Sequence, residues 1–115
     1  MAEILATHVP LLRSVGIDAD WQVLRGSDEF FGITKEVHNG LQGADVDWSS
    51  RKQRFYLEHV LDNALRLAGE WDFVVAHDPQ PVAFRSFLRD SELGSAGTKW
   101  IWRCHIDLTD ANPTV

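Results

Sequence analysis

The stretch FVVAHDPQP, Phe73 to Pro81, and its counterpart WIWRCHID, Trp100 to Asp107, decide how this chain folds. Each opens as a short apolar run and closes in a polar cluster, HDPQP in the first and RCHID in the second, and a helix-like segment lies between them. That order reads as strand, crossover, strand. Parallel strands joined by a crossover run the same way, so both clusters leave the sheet at its carboxyl edge, where open α/β sheets bind ligands. Asp72 to His77 is expected as a buried strand and Trp100 to Cys104 as its neighbour, with Pro81 in the first turn of a helix reaching about Leu88.

Working outward, apolar residues at helical spacing from Ile4 to Val15 predict a helix closed by Gly16, with Pro10 kinking it. Ile17 to Leu24 alternates enough to predict a strand, ended by Arg25-Gly26-Ser27. Ser27 or Asp28 caps a helix to Leu41, closed by Gly40 and Gly43. Ser49 or Ser50 caps the clearest helix, where Leu57, Val60, Leu61, Ala64, Leu65 and Ala68 form a stripe expected to pack on the sheet, and Gly69 stops it. Gly94 to Gly97 reads as a flexible loop, and Thr109 to Pro113 as the cap of a further helix. A helix-first start is unusual for a doubly wound sheet, so both ends are expected to be cut.

Composition narrows the function. At 115 residues the chain is one domain, and its 44% hydrophobic and 24% charged residues describe an ordinary globular protein. No apolar run approaches the roughly 20 residues that span a bilayer, and no secretory signal is present, so a cytoplasmic protein without a membrane partner is expected. A net charge of −6 with scattered Lys and Arg argues against nucleic acid. Cys104 is the single cysteine, which excludes an internal disulfide.

The two clusters carry the candidate chemistry. His77 and Asp78 close a strand and enter a turn in which two prolines bracket Gln80, and proline stiffens a turn so that its side chains are aimed reproducibly. A carboxylate with an amide beside it is suited to orienting the hydroxyls of a sugar. The plainer alternative has Asp78 capping the next helix and His77 bonding a loop carbonyl. Arg103, His105 and Asp107 alternate and share a face if the strand continues. The alternative there is a salt bridge between Arg103 and Asp107. His77, Asp78, His105 and Asp107 are also metal-type donors, but no paired His-x-x-x-His or cysteine ligand accompanies them, and no metal is expected. Lys35, His38, Asn39 and Gln42 form a polar stripe that either edges the same cleft or is a solvated helix face. The tryptophans, and Phe30 with Phe31, are expected mainly in the core. Neither a nucleophile elbow nor a Gly-rich phosphate loop is present.

Taken together, the tracts VPLLRSVGIDADW (Val9 to Trp21), FFGITKEVHNGLQG (Phe30 to Gly43), HDPQP and WRCHIDLTDANP (Trp102 to Pro113) closely resemble the N-terminal lobe of the glycosyltransferring type of trehalose synthase, a retaining GT-B glycosyltransferase. The resemblance implies a three-layer Rossmann-like parallel sheet forming an acceptor-side lobe over residues 1–115, with the nucleotide-sugar lobe outside this chain. It implies transfer of glucose from UDP- or ADP-glucose onto free glucose, without a metal or organic cofactor. Carried onto matching positions, Asp78 resembles the acceptor-orienting carboxylate, with Gln80 a neighbour of it, and the residue reading adds His77 as a substrate-binding candidate. His105 resembles the histidine next to the donor glucose and the reacting centre. Arg103 and Asp107 would border that cleft, and Lys35, His38, Asn39 and Gln42 are similar to the family's K-x-x-H-N-x-L-Q-G tract. Alone, the chain is expected to lack activity and to self-associate through an open sheet edge. A non-catalytic sugar-binding or assembly module is the alternative.

Overall fold

A computed structural model of the chain describes residues 2–67, 69–90 and 97–115. Its elements run α1 (Ala2–Ser14), α2 (Asp28–Leu41), α3 (Ser50–Leu67), β1 (Phe73–His77), α4 (Phe84–Asp90) and β2 (Lys99–Arg103). The two strands pair in parallel, in register from Phe73 opposite Lys99 to His77 opposite Arg103, so the strand-crossover-strand unit forms as expected. Both polar clusters therefore leave at one edge. None of the described helices is long and apolar enough to cross a membrane.

The core lies among three helices rather than around the sheet. Phe30 and Ile33 of α2, Tyr56, Val60 and Ala64 of α3, and Phe84 and Leu88 of α4 are its buried members, and from the strands Trp100 packs against it. Phe30 and Val60 are fully enclosed, so truncating Phe30 would forfeit about 3–5 kcal/mol. A methyl group on Gly26 would overlap the Phe30 ring, which is why a glycine stands where the chain enters α2. Ser27 caps that helix by accepting a hydrogen bond from the Phe30 N–H at 3.2 Å, with Asp28 and Glu29 in the first turn where the helix dipole favours them. Ser49 does the same for α3 through the Lys52 N–H.

Four expectations are corrected. Ile17 to Leu24 forms no strand; the described sheet has two strands, and without a neighbouring strand the alternating segment has nothing to pair with. Instead the side-chain amide of Asn63 grips the backbone of Arg25 on both sides, accepting from its N–H at 2.8 Å and donating to its C=O at 2.7 Å. The buried face of α3 is also rotated from the apolar stripe. Tyr56, Val60, Asn63 and Ala64 face inward, whereas Leu57, Leu61 and Leu65 are 43%, 37% and 52% exposed. Two of the inward residues carry polar tips that bond the backbone, a role an apolar count does not register. Pro81 lies in a turn, and α4 starts only at Phe84. The tryptophans are not core residues: Trp21, Trp71 and Trp102 are each more than a third exposed, and Trp48 and Trp100 are half-buried.

Other expectations fare better. Gly16 closes α1 at φ +88°, with the Ile17 N–H reaching back to the Leu12 carbonyl at 3.1 Å, the bonding of a Schellman end. Pro10 stands inside α1 without ending it. Ala68 and, apart from Gly97, the loop at Gly94 to Gly97 lie outside the described residues. The sheet's second face bears Phe73, Val75 and Ile101, all about half exposed, and the described residues form a mixed α/β arrangement with a small two-stranded parallel sheet.

Asn63 is 2% exposed and makes a third bond, to the His59 carbonyl at 2.9 Å. Replacing it by alanine leaves the Arg25 backbone without its partners, so the Asn63→Ala variant is expected to lose about 1–3 kcal/mol in urea unfolding. An unchanged midpoint would mean that the 17–25 segment is held by something else.

Candidate functional site at the carboxyl edge

The edge is built by the pairing of the strands. One residue past the paired stretch, the Asp78 N–H donates to the Arg103 carbonyl at 3.0 Å, which extends the ladder into the turn. Asp78 then takes φ +68°, the one positive φ among the described non-glycine residues, and a conformation that aspartate tolerates better than most. Two side chains hold the strained turn. The Trp102 indole N–H donates to the Asp78 carbonyl at 2.8 Å, and the Tyr56 hydroxyl, rising from α3, donates to the Gln80 carbonyl at 2.9 Å. Burial pushes the Tyr56 phenol up to about 12, so it remains a donor across the physiological range. Pro79 and Pro81 are buried beneath the turn.

This latching leaves the Asp78 carboxylate half-buried and, among the described residues, without a hydrogen bond or ion pair. No backbone N–H of the following helix reaches it, so the capping alternative has no support. Beside it, His77 Nδ1 lies 3.2 Å from His105 Nε2. The pKa of His77 is lowered, first by burial, then by the charges of His105 and Arg103, with Asp78 opposing and His8 of α1 adding a little. The half-buried Gln80 completes the turn, and Arg103, exposed, stands opposite His77 in the register. A shallow cleft of about 330 Å³ adjoins the turn, lined by Pro81, Val82, Arg85 and Ser86 on one side and Trp100 and Trp102 on the other.

The second cluster departs from its expected course. The strand ends at Arg103, so Arg103, His105 and Asp107 do not continue as one alternating face. His105 folds back to His77, and Asp107 accepts instead from the Thr109 N–H at 2.9 Å and from the Thr109 hydroxyl. Those bonds hold its carboxyl below the usual range, and among the described residues Asp107 forms no ion pair with Arg103. The segment beyond docks on the end of α2. The Asn112 N–H donates to the Gly40 carbonyl and its side chain to the Ala44 carbonyl, while its Oδ1 accepts from the Thr114 N–H, the bond a helix cap makes.

This docking explains the glycines of the polar stripe. At Gly43 φ is +95° and a Cβ would come within 2.9 Å of the Asp110 carbonyl; at Gly40 it would press on Val115 and Val46. The FFGITKEVHNGLQG and LTDANP tracts thus meet through backbone. Lys35, Asn39 and Gln42 are exposed and His38 half-buried, and among the described residues their side chains make no hydrogen bond or ion pair with His77, Asp78 or His105. Reading the sequence for chemistry missed Tyr56, Trp102 and His8. The first two were visible only as an aromatic on the inner helix face and an aromatic alternating with Trp100. No group of three or more His, Cys, Asp or Glu side chains in metal-binding arrangement occurs among the described residues.

The α/β unit sets a latched polar turn, a carboxylate unpaired among the described residues and a histidine pair at the carboxyl edge, the place where open parallel sheets take small ligands. Comparison with known proteins narrows the class to a family: a model described as "Trehalose synthase, N-terminal domain" matches residues 1–115, and the chain belongs to that family. Trehalose synthase of Rubrobacter xylanophilus is 45% identical over 118 residues, covering 100% of this chain and 28% of the relative. Trehalose synthases of Thermococcus litoralis and Pyrococcus furiosus are each 44% identical over 114 residues, covering 97% of this chain and 26% of theirs. The chain thus spans about a quarter of the length of these curated relatives.

The lowered pKa of His77 gives a pH test with a definite sign. Between that value and the ordinary 6.5, the unfolded chain binds more protons at this site than the folded one, so stability rises with pH through the window and falls on acidification. The urea midpoint is expected to drop from about pH 7.5 to about pH 5.5, and to drop less in the His77→Phe variant. Equal pH dependence in the two proteins would remove His77 as the cause.

Proposed function

We propose that this domain is the acceptor side of a retaining glycosyltransferase that makes trehalose from a nucleoside-diphosphate glucose, UDP- or ADP-glucose, and free glucose. The observation that carries the proposal is the unpaired Asp78 carboxylate, held in a left-handed turn by Trp102 and Tyr56, in a chain of the trehalose synthase family. A carboxylate so placed can accept from one or two sugar hydroxyls with little rearrangement, and fixed positioning of two reactants supplies much of the rate enhancement in such transfers. In this reading residues 1–115 are part of a three-layer Rossmann-like lobe of GT-B type, and a second lobe holds the nucleotide sugar.

In this reading each residue has a role. Asp78 orients the acceptor, Gln80 and His77 flank it, and His105 lies toward the reacting centre with Arg103 at the margin. Asp107 and the Lys35, His38, Asn39 and Gln42 stripe border the cleft farther out. Bond making and bond breaking occur on one face of the donor sugar: the acceptor oxygen joins the anomeric carbon as its bond to the diphosphate breaks. Most of the catalytic effect then comes from orientation and from stabilising the leaving group, the second of these by the other lobe. No metal or organic cofactor enters the scheme. A cytoplasmic setting fits a reaction that consumes nucleotide sugar. Without the second lobe, residues 1–115 bind acceptor but do not transfer.

In an enzyme containing both lobes, the Asp78→Ala variant is expected to lower trehalose formation from UDP- or ADP-glucose and glucose by about 100-fold or more. Near-normal output from a folded variant would sink the assignment. Binding of glucose by the domain with no transfer by any two-lobe form would favour the sugar-binding module instead.

We also propose that the domain by itself associates with a second copy through the half-exposed sheet face of Phe73, Val75 and Ile101. Sedimentation is expected to show a concentration-dependent dimer, and a monomer at every concentration would contradict it.

A further inference from the structure

The His77 and His105 rings are related by an unusually restrictive geometry. Their centroids are 5.5 Å apart while the facing nitrogens are 3.2 Å apart. The difference is about two imidazole ring radii, which is the largest centroid separation that this N···N distance permits. Both centroids and both nitrogens therefore lie on one line, with the ring planes turned 20° about it. The rings are edge to edge, not face to face. Each nitrogen's lone pair or hydrogen is aimed at the other nitrogen, which is the alignment of a linear N–H···N bond and not of two ligands converging on a third atom.

Such a contact holds one hydrogen. Two would collide and none would set lone pair against lone pair. Because it joins Nδ1 of His77 to Nε2 of His105, a neutral pair has both rings in the same tautomer, either both protonated on Nδ1 or both on Nε2. The outward nitrogens, Nε2 of His77 and Nδ1 of His105, are then forced into opposite roles, one donating and the other accepting.

We propose that His77 is a positioning residue for His105, and that the pair acts as one unit presenting a donor at one end and an acceptor at the other to the hydroxyls of a neutral sugar. This rests on the acceptor-side reading above and adds to it the hydrogen-bonding polarity of the site. A hydroxyl satisfies either end, because it both donates and accepts, whereas an anionic oxygen at the accepting end faces a lone pair. At His77 burial first, then the charges of His105 and Arg103, disfavour a further proton, and Asp78 opposes them.

The test is ring ¹⁵N NMR of the histidines in this chain, with D-glucose as the probe. Above the histidine titration range, His77 and His105 are expected in a single shared tautomer. In His77→Phe, which keeps a ring but no nitrogen, His105 is expected to relax to a tautomer mixture and glucose binding to weaken several-fold. His77→Gln, whose amide can again meet Nε2, is expected to restore part of both. Opposite tautomers in the unmodified chain, or a His105 signal and glucose affinity unmoved in His77→Phe, would overturn the inference while leaving the acceptor-side reading intact. A coupled pair that does not respond to glucose would overturn that reading, and with it the ligand assigned to the pair.

Discussion

The parallel ladder between β1 and β2 is the constraint on which the site depends. Its register, running from Phe73 opposite Lys99 to His77 opposite Arg103, brings two polar tracts far apart in sequence to adjoining positions at one edge. Its last rung, from the Asp78 N–H just past β1 to the Arg103 carbonyl at the end of β2, fixes where the first tract turns. A slip of one residue would reverse the face of every side chain on the shifted strand, separating His77 from His105 and drawing Trp102 away from Asp78. The position of the candidate site is therefore set by backbone pairing before any functional side chain acts.

Pairing alone would leave the turn free to adopt several conformations. Aspartate at φ +68° is a conformation that persists when its surroundings over-determine it. Here they do so from two directions. Trp102 holds the Asp78 carbonyl from the neighbouring strand, and Tyr56 holds the Gln80 carbonyl from a helix that also gives Val60 and Ala64 to the core. The packing of α3 against α2 and α4 is thus transmitted to the turn by a single hydroxyl. With both carbonyls occupied, the Asp78 side chain is left over, which is the state a ligand-orienting carboxylate requires.

The strand-crossover-strand unit, the helix ends at Ser27, Ser49 and Gly16, and the grouping of HDPQP with RCHID were legible in the sequence because each rests on local chemistry or simple periodicity. What was not legible depended on partners. The alternation at Ile17 to Leu24 was sound as a pattern, but a strand is defined by its neighbour, and the segment is held instead by Arg13 on the Ala19 carbonyl and by the Asn63 amide on Arg25 just beyond it. The stripe on α3 was offset because the count gave no weight to Tyr56 and Asn63, whose polar tips are buried in bonds to distant backbone. Within the site, Asp78 and His105 stood out through their spacing from apolar runs. The residues that hold them did not, since Trp102 and Tyr56 resemble any other aromatic until the fold supplies the carbonyl each one meets.

The same distinction separates the two halves of the candidate site. His77, Asp78, Gln80, Arg103 and His105 are drawn together by strand pairing, side-chain latches and one linear histidine contact, so their arrangement is internally fixed. Among the described residues the side chains of Lys35, His38, Asn39 and Gln42 bond none of that group, and the end of α2 is tied to the segment after RCHID by Asn112 on the Gly40 and Ala44 carbonyls and by the close approach of Gly43 to Asp110. Small residues at those approaches set the distance between α2 and the segment after RCHID without committing the polar side chains to partners. Under the proposed reading, an inner group fixed for orientation would hold one ligand rigidly, while an outer group, unpaired among the described residues, would leave room for a second to arrive.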